Sequence, residues 1–373
     1  MQNRLALLGV LSLAAASAFG AGWGVHASLT AAPPVARTGI FIPNPGDSLF
    51  YIPMSVIMPS ALGIEAARDI TAYLNTADPA QCEAAIAVYD KAIPIENFGG
   101  EYQSLRWFCQ YAVASDDPAG GAASRTAMLE NADGRRFVDY FSPNNWQPLR
   151  DYLDIKYGGS PNQDLERFRF VDELIRFNSP GRPEWEDTEQ ILRLLDLQPG
   201  SAIVDIGAGA GFFSYRFSDI VGPTGHVYAV ELNPSDIQYM SAIVKAEGRT
   251  NMEVVMGPET GATGLAPGSV DVVFLCSTYQ TIYTSMREDQ RQVFLKSLKA
   301  ALRPGGRVVI SDNEPTVRNA VPYRGISVSK LLVAGQLEAN GLRLVKEQQF
   351  IPQRYLLVFE LAETEPKHAA PAP

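Results

Sequence analysis

Glycines at every second position, Gly207, Gly209 and Gly211, start two residues after Asp205, directly behind the apolar run Ala202-Ile203-Val204 and ahead of Phe212 and Phe213. This reads as strand, tight turn and helix start. Such a turn lets backbone amides at a helix start approach a ligand closely, because glycine has no Cβ to obstruct it. The chemistry it serves is the holding of a nucleotide-type cofactor. The dinucleotide fingerprint G-x-G-x-x-G needs its third glycine three places after the second. Phe212 stands there instead, which disfavours a nicotinamide oxidoreductase.

The elements that must position this loop alternate regularly. Strands are expected over Ala202–Ile206, His226–Leu232, Met252–Met256, Val270–Cys276 and Arg307–Ser311, and helices over Phe212–Ile220, Pro234–Glu247 and Arg287–Leu302. Gly222-Pro223-Thr224-Gly225, Gly248 and Pro304-Gly305-Gly306 punctuate them. Strands alternating with helices make an α/β fold with a mostly parallel sheet covered on both faces. A helix over Val328–Asn340 and strands over Leu342–Ile351 and Arg354–Leu361 close it. Before it, Arg182-Pro183 starts a helix whose apolar stripe is Trp185, Thr188, Ile191, Leu192 and Leu195.

The stretch from Asp205 to Gly211 resembles the D-x-G-x-G-x-G loop of class I S-adenosylmethionine (SAM) dependent methyltransferases. The closing segment Phe350 to Phe359 is similar to that of one bacterial group of them, which often carries an export-like leader. The likeness covers about 182–361 and implies a Rossmann-like sheet ending in an antiparallel hairpin, with SAM as cofactor. It implies that Gly207, Gly209, Gly211 and Asp205 serve the amino-acid portion and that Glu231, at the end of the second strand, accepts the ribose hydroxyls. Glu259 is a candidate for the adenine side, and Asp271 matches an acidic residue whose role is structural. Thr278, Tyr279 and Gln280, ending the fourth strand, would face the transferring methyl group, Thr278 on the cofactor and Tyr279 and Gln280 on the acceptor. The similar group has two histidines after Thr-Tyr, where this chain has Gln280-Thr281. With a hydroxyl acceptor, Asp312 or Glu314 after the fifth strand would take the proton. The same two carboxylates suit helix capping.

Composition narrows the partners. A formal net charge of −10 argues against nucleic acid, since phosphate binding draws on Lys and Arg clusters. Three cysteines, Cys82, Cys109 and Cys276, odd in number and widely spaced, suggest neither a disulfide framework nor a zinc site, and the three scattered histidines supply no metal cluster, so no metal is expected. Residues 5–25 carry no charge and follow Arg4, so 1–28 reads as a signal peptide or membrane anchor, with an organelle transit peptide as the alternative. The expected location is therefore exported or membrane-anchored. Residues 41–178 read as a helical region, with helices over Ala61–Leu74, Pro79–Ala92, Tyr102–Ala114 and Gln163–Asn178. Its dense aromatics, Tyr102, Trp107, Phe108, Tyr111, Phe137, Tyr140, Phe141 and Trp146, read as a helical core. Residues 362–373 read as a disordered tail. Together these point to methyl transfer to a small-molecule O, N or S nucleophile, with a non-catalytic SAM-binding protein of the same fold as the alternative.

Overall fold

The computed structural model of the chain describes residues 39–43, 49–53, 61–96, 106, 108–110, 112–113, 129–130, 132–157, 174, 177–178, 180–258, 263–314, 327–351 and 354–362. The expected leader, residues 363–373, Glu259, Tyr102, Trp107, Tyr111 and most of the helix expected over Gln163–Asn178 lie outside the described residues. Among the described residues no helix is long and apolar enough to cross a membrane. Ala362, assigned from sequence to the tail, is held by its N–H on Gly341 O.

The region expected to be helical from residue 41 opens instead with an antiparallel hairpin, β1 (Gly39–Pro43) and β2 (Leu49–Pro53). Its aromatic and β-branched residues between prolines favour strand. Helices α1 (Ala61–Thr76), α2 (Pro79–Glu96), α3 (Ala132–Tyr140) and α4 (Pro143–Tyr157) follow. Phe108, Phe137, Tyr140, Phe141 and Trp146 share one core, in which Phe137 and Phe141 meet edge-on at 5.3 Å. Cys82 and Cys109, far apart in sequence, share this core as buried free thiols, and burial, then the neighbouring Cys82, raises the Cys109 thiol. The same core takes in Ala210 and Tyr239 from beyond residue 182, so the helical region packs against the glycine loop.

The helix expected from Arg182 is broken into α5 (Arg182–Glu186) and α6 (Thr188–Leu195) by Asp187 at φ +53°. The break turns Arg182 and Glu186 inward as a buried ion pair, away from the stripe of α6. There follow β3 (Ala202–Ile206), α7 (Phe212–Val221), β4 (His226–Glu231), α8 (Pro234–Ala246), β5 (Met252–Met256) and β6 (Val270–Cys276). The chain continues through α9 (Tyr279–Ser285), α10 (Glu288–Ala301), β7 (Leu302–Asn313), α11 (Lys330–Ala339), β8 (Leu342–Ile351) and β9 (Arg354–Leu361).

The sheet order is β5-β4-β3-β6-β7-β9-β8, parallel through β7, with β9 antiparallel to both neighbours. This is the Rossmann-like architecture with a closing hairpin. Alternate residues separate into two cores: Val204, Ile206, Val273 and Leu275 on one face, Ile203, Val272 and Phe274 on the other. That is why β3 is apolar and buried on both faces. From β3 the chain moves to β4 on one side and later returns to β6 on the other. The sheet therefore has its switch point between β3 and β6, where open α/β sheets place ligands.

Helix α9 was not legible in Tyr279-Gln280-Thr281-Ile282-Tyr283-Thr284-Ser285, whose aromatic and β-branched residues favour strand. Tertiary contacts impose it. Ser277 turns the chain at φ +54°, and Asp312 accepts the Gln280 amide at 2.9 Å, placing a carboxylate at the helix N-terminus.

Candidate active site

The glycine loop is left-handed at three positions, Gly207 (φ +74°), Gly209 (φ +57°) and Gly211 (φ +95°). A Cβ on Gly207 would lie 2.6 Å from Thr278 Oγ1, and one on Gly211 2.7 Å from the Tyr215 ring, whereas one on Gly209 would meet nothing within 4 Å. Gly209 thus faces open space. Its amide donates to Glu231 Oε2 at 2.8 Å, while Glu231 Oε1 accepts the amides of Leu232 (2.6 Å) and Asn233 (3.0 Å). Glu231 pins the loop of β3 to the end of β4 and lines the cavity in front of both.

That cavity has a free space of about 1050 Å³, its open mouth included. Gly207, Ala208, Gly209 and Ala210 line it from the loop, Val230, Glu231, Leu232 and Asp236 from the end of β4 onward, Gly257 and Pro258 beyond β5, and Cys276, Ser277, Thr278 and Thr281 from the end of β6 onward. Leu174, Phe177, Asn178 and Arg182 line it from the segment that precedes the sheet. Aliphatic and aromatic walls with a few convergent polar groups are the usual make-up of a small-molecule site.

Of the site residues expected from sequence, Gly207, Gly209, Glu231 and Thr278 come together on this cavity. Asp205, Gly211, Tyr279, Gln280 and Asp312 are not among the residues that line it. Asp205 accepts Ser214 Oγ at 2.6 Å, tying β3 to the first turn of α7. Burial pushes its carboxyl up to about 7, against the opposing Ser214 hydrogen bond and Arg182 charge. Gly211 is the N-cap of α7. Tyr279 is buried and donates its hydroxyl to Gln336 Oε1 at 2.7 Å, burial raising its pKa. Gln280 donates its amide side chain to Ser277 O at 3.3 Å. Asp312 takes the amides of Gln280 and Asn313 on its two oxygens, and burial lifts it to about 6. Glu314 caps α11 by accepting Lys330 N at 2.8 Å. Asp271, read as structural, accepts Ala202 N at 2.7 Å and Arg303 at 2.9 Å.

Two features of the site escaped the sequence reading. One is Asp236 in the first turn of α8, buried and facing the cavity. Burial and the neighbouring Glu231 push it up to about 7, against hydrogen bonds from Tyr140 and Asn233. Its signal was the strand-end sequence Glu231-Leu232-Asn233-Pro234-Ser235-Asp236, in which Asn233 caps the helix at Ser235 N. The other is a buried charged wall. Arg182 Nε donates to Glu186 Oε2 at 2.6 Å, and Arg354 Nη2 donates to Glu186 Oε1 at 2.5 Å and Ser277 Oγ at 2.9 Å. Arg354 Nη1 also reaches Asn313 Oδ1 at 2.9 Å. Burial opposes ionisation of Glu186, yet Arg182 and then Arg354 outweigh it and hold the carboxyl below its usual range. Burial, then the Glu186 charge, pushes the adjacent Cys276 thiol up to about 12, so it is a neutral thiol at physiological pH. Arg182 also lies over the Phe212 ring at 4.3 Å. No local pattern announces this wall, because its members come from α5, β6, β7 and β9.

Among the described residues no group of three or more His, Cys, Asp or Glu side chains could hold a metal ion.

A family model described as a methyltransferase domain matches residues 197–349. An arsenite methyltransferase from Halobacterium salinarum is 34% identical over 31% of this chain and 28% of its own length. A protein-L-isoaspartate O-methyltransferase from Aeropyrum pernix is 34% identical over 35% of this chain and 45% of its own. The chain therefore spans less than half the length of these curated relatives. A solved SAM-dependent methyltransferase from Aquifex aeolicus is 25% identical, covering 50% of this chain and 96% of that one at a TM-score of 0.44.

Proposed function

We propose that this chain, whose residues 197–349 form a class I SAM-dependent methyltransferase domain, methylates a small-molecule O, N or S nucleophile. The observation that carries the reading is the Gly209 cradle: an amide fixed by Glu231, a left-handed turn and open space where a side chain would stand. The donor set fits the cofactor. The N-terminus of α7 suits a carboxylate, Glu231 and Asp236 suit hydroxyl and amino donors, and Arg182 is a cation on the cavity wall.

When bound there, SAM supplies an electrophilic methyl group on a sulfonium. The chain supplies geometry and exclusion of water. In-line displacement gains most of its rate from holding donor and acceptor aligned and desolvated, which needs no strong base when the acceptor is a thiol, amine or carboxylate. Ser277, just after β6, and Thr281, in the first turn of α9, can orient an acceptor, with Thr278 beside Gly207 on the cofactor side. Leu174 and Phe177 support a small acceptor, since they add apolar surface to the cavity wall. The two relatives are named for arsenite and for protein L-isoaspartate, so the acceptor class rests on the cavity rather than on them.

Calorimetry with SAM, S-adenosylhomocysteine and NADH tests the cofactor: micromolar binding of the first two, lost in Glu231→Ala, is expected. Binding of NADH alone would overturn the reading. Turnover on a panel of thiols, amines and phenols tests the acceptor, and bound SAM without any turnover would favour a non-catalytic SAM-binding protein. Export or anchoring through residues 5–25 is part of the same proposal. N-terminal sequencing of the mature protein together with membrane fractionation tests it.

A further inference from the structure

A hydrogen-bonded chain runs from the N-terminal helical region to the glycine loop. Tyr140, the last residue of α3, donates its hydroxyl to Asp236 Oδ1 at 2.7 Å, and Asn233 Nδ2 donates to Asp236 Oδ2 at 2.7 Å. The Asn233 amide donates to Glu231 Oε1 at 3.0 Å, and Glu231 Oε2 holds the Gly209 amide at 2.8 Å. Every member is buried except the loop glycine, and Glu231, Asp236 and Gly209 face the cavity. The phenol ring is itself fixed, edge-on to Tyr239 at 4.8 Å and to Phe141 at 4.9 Å. Helix α3 is docked by Arg136 on Glu247 (3.1 Å), by the Tyr239 hydroxyl on Arg136 O (2.8 Å) and by an ion pair of Asp133 with Arg216.

We propose that Tyr140 is a positioning residue for the cofactor: it fixes the Asp236 carboxylate as a second acceptor, beside Glu231, for the hydroxyl and amino donors of SAM. This rests on the methyltransferase reading and extends it, because it makes the helical region part of the cofactor site. Each oxygen of a carboxylate has two lone pairs. Tyr140 and Asn233 occupy one on each oxygen of Asp236 and so set its rotamer, leaving the others for a ligand. Two neighbouring carboxylates disfavour each other's ionisation, and the hydroxyl of Tyr140 offsets that penalty by favouring charged Asp236. The groups facing Asp236 are Glu231 from β4, Tyr140 from α3, Asn233 ahead of α8 and Tyr215 from α7.

The test is calorimetric titration of SAM into the wild-type protein, Tyr140→Phe, Asp236→Asn and the double variant between pH 5.5 and 8.5. The titration of SAM itself is common to all four and cancels in the comparison. Tyr140→Phe keeps the ring and its edge contacts and removes one hydroxyl. Expected is about fivefold weaker binding at pH 7, the fall in the charged fraction of Asp236 that a rise of about one unit from its pKa of about 7 produces. In the wild type, affinity should rise as pH passes about 7 and Asp236 ionises. In Tyr140→Phe that rise moves to higher pH, and in Asp236→Asn it disappears and the Tyr140 change adds little. A Tyr140→Phe protein with wild-type affinity and pH profile would overturn the proposal. So would a weakening equal at every pH and undiminished in the Asp236→Asn background, which marks a loosened fold. Failure of the wild type to bind SAM at all would instead strike the methyltransferase reading.

Discussion

Substituting alanine for each of the three loop glycines separates what the loop does for folding from what it does for binding. All three are left-handed, a conformation that costs an alanine about 1–2 kcal/mol, offset by about 0.4–1 kcal/mol from the less flexible unfolded chain. Gly209→Ala meets no neighbour within 4 Å, so its net cost to the apoprotein is at most about 1.6 kcal/mol. At Gly207 the new methyl lies 2.6 Å from Thr278 Oγ1 and 2.8 Å from its Cγ2, and Thr278 is fixed by its own bond to Cys276 O at 3.0 Å. At Gly211 it lies 2.7 Å from the Tyr215 ring, which cannot retreat from Arg136 stacked 4.2 Å away. Overpacking adds about 1–3 kcal/mol, so these two variants lose about 2–4 kcal/mol. Urea unfolding of the apoproteins should rank Gly209→Ala as the mildest. SAM titration should show it losing tenfold or more in affinity, about 1.4 kcal/mol, because its methyl stands in the cavity. If Gly209→Ala is the least stable of the three, or binds SAM as the wild type does, the assignment of the open space above Gly209 to the cofactor is wrong.

Arg354→Met strips Glu186, Ser277 and Asn313 of a shared donor, and removal of one member of a buried ion cluster costs about 3–5 kcal/mol. The loss should fall at the lower end because Arg182 remains on Glu186, and Arg354→Lys should not restore it, since one ammonium cannot span those three acceptors; thermal unfolding of both variants checks this. Asp205, Asp236 and Asp312 have native pKa values of about 7, 7 and 6, above their unfolded values near 3.8. Their contribution to stability is fully present below about pH 4 and is lost as pH rises through 6 to 7, so the apoprotein should resist urea better at pH 5.5 than at pH 8, with a slope of up to about 1.4 kcal/mol per pH unit for each proton released. The lowered Glu186 acts in the opposite sense, but only below its unfolded pKa near 4.5, outside that window. All three thiols are buried, and burial raises those of Cys109 and Cys276, so an aromatic disulfide reagent should modify none of them rapidly at pH 8 until urea unfolds the chain; one fast equivalent would contradict the packing.

The sheet half of the fold was legible because its signals are local. β3, β5, β6, β8 and β9 fall on the residues at which composition changes from apolar to Gly, Pro or polar, and the glycine loop declares its left-handed turns by residue type. Where the reading departed from the structure, a distant contact had overridden local preference. Helix α9 exists because Asp312, on another strand, receives its first amide. The break at Asp187 exists because Glu186 turns inward to reach Arg354, 168 residues away in sequence. Cys82 and Cys109 meet only once the helical core is assembled.

The same distinction divides the site. Its glycine-loop side is built from β3, β4 and the turns that follow them, within some thirty residues from Asp205 to Asp236, so chemistry and spacing are read together. The opposite side is backed by a wall drawn from α5, β6, β7 and β9 and held by Arg354, which can reach Glu186 only when β9 lies antiparallel against β7. There the residues whose types suggested chemistry, Tyr279, Gln280 and Asp312, are committed to Gln336, Ser277 and two backbone amides. Their neighbours Ser277, Thr278 and Thr281 reach the cavity instead. The hydroxyls and apolar shape that the cavity presents at this end are therefore held in part by a remote guanidinium, a dependence that no spacing within residues 276–281 could have revealed.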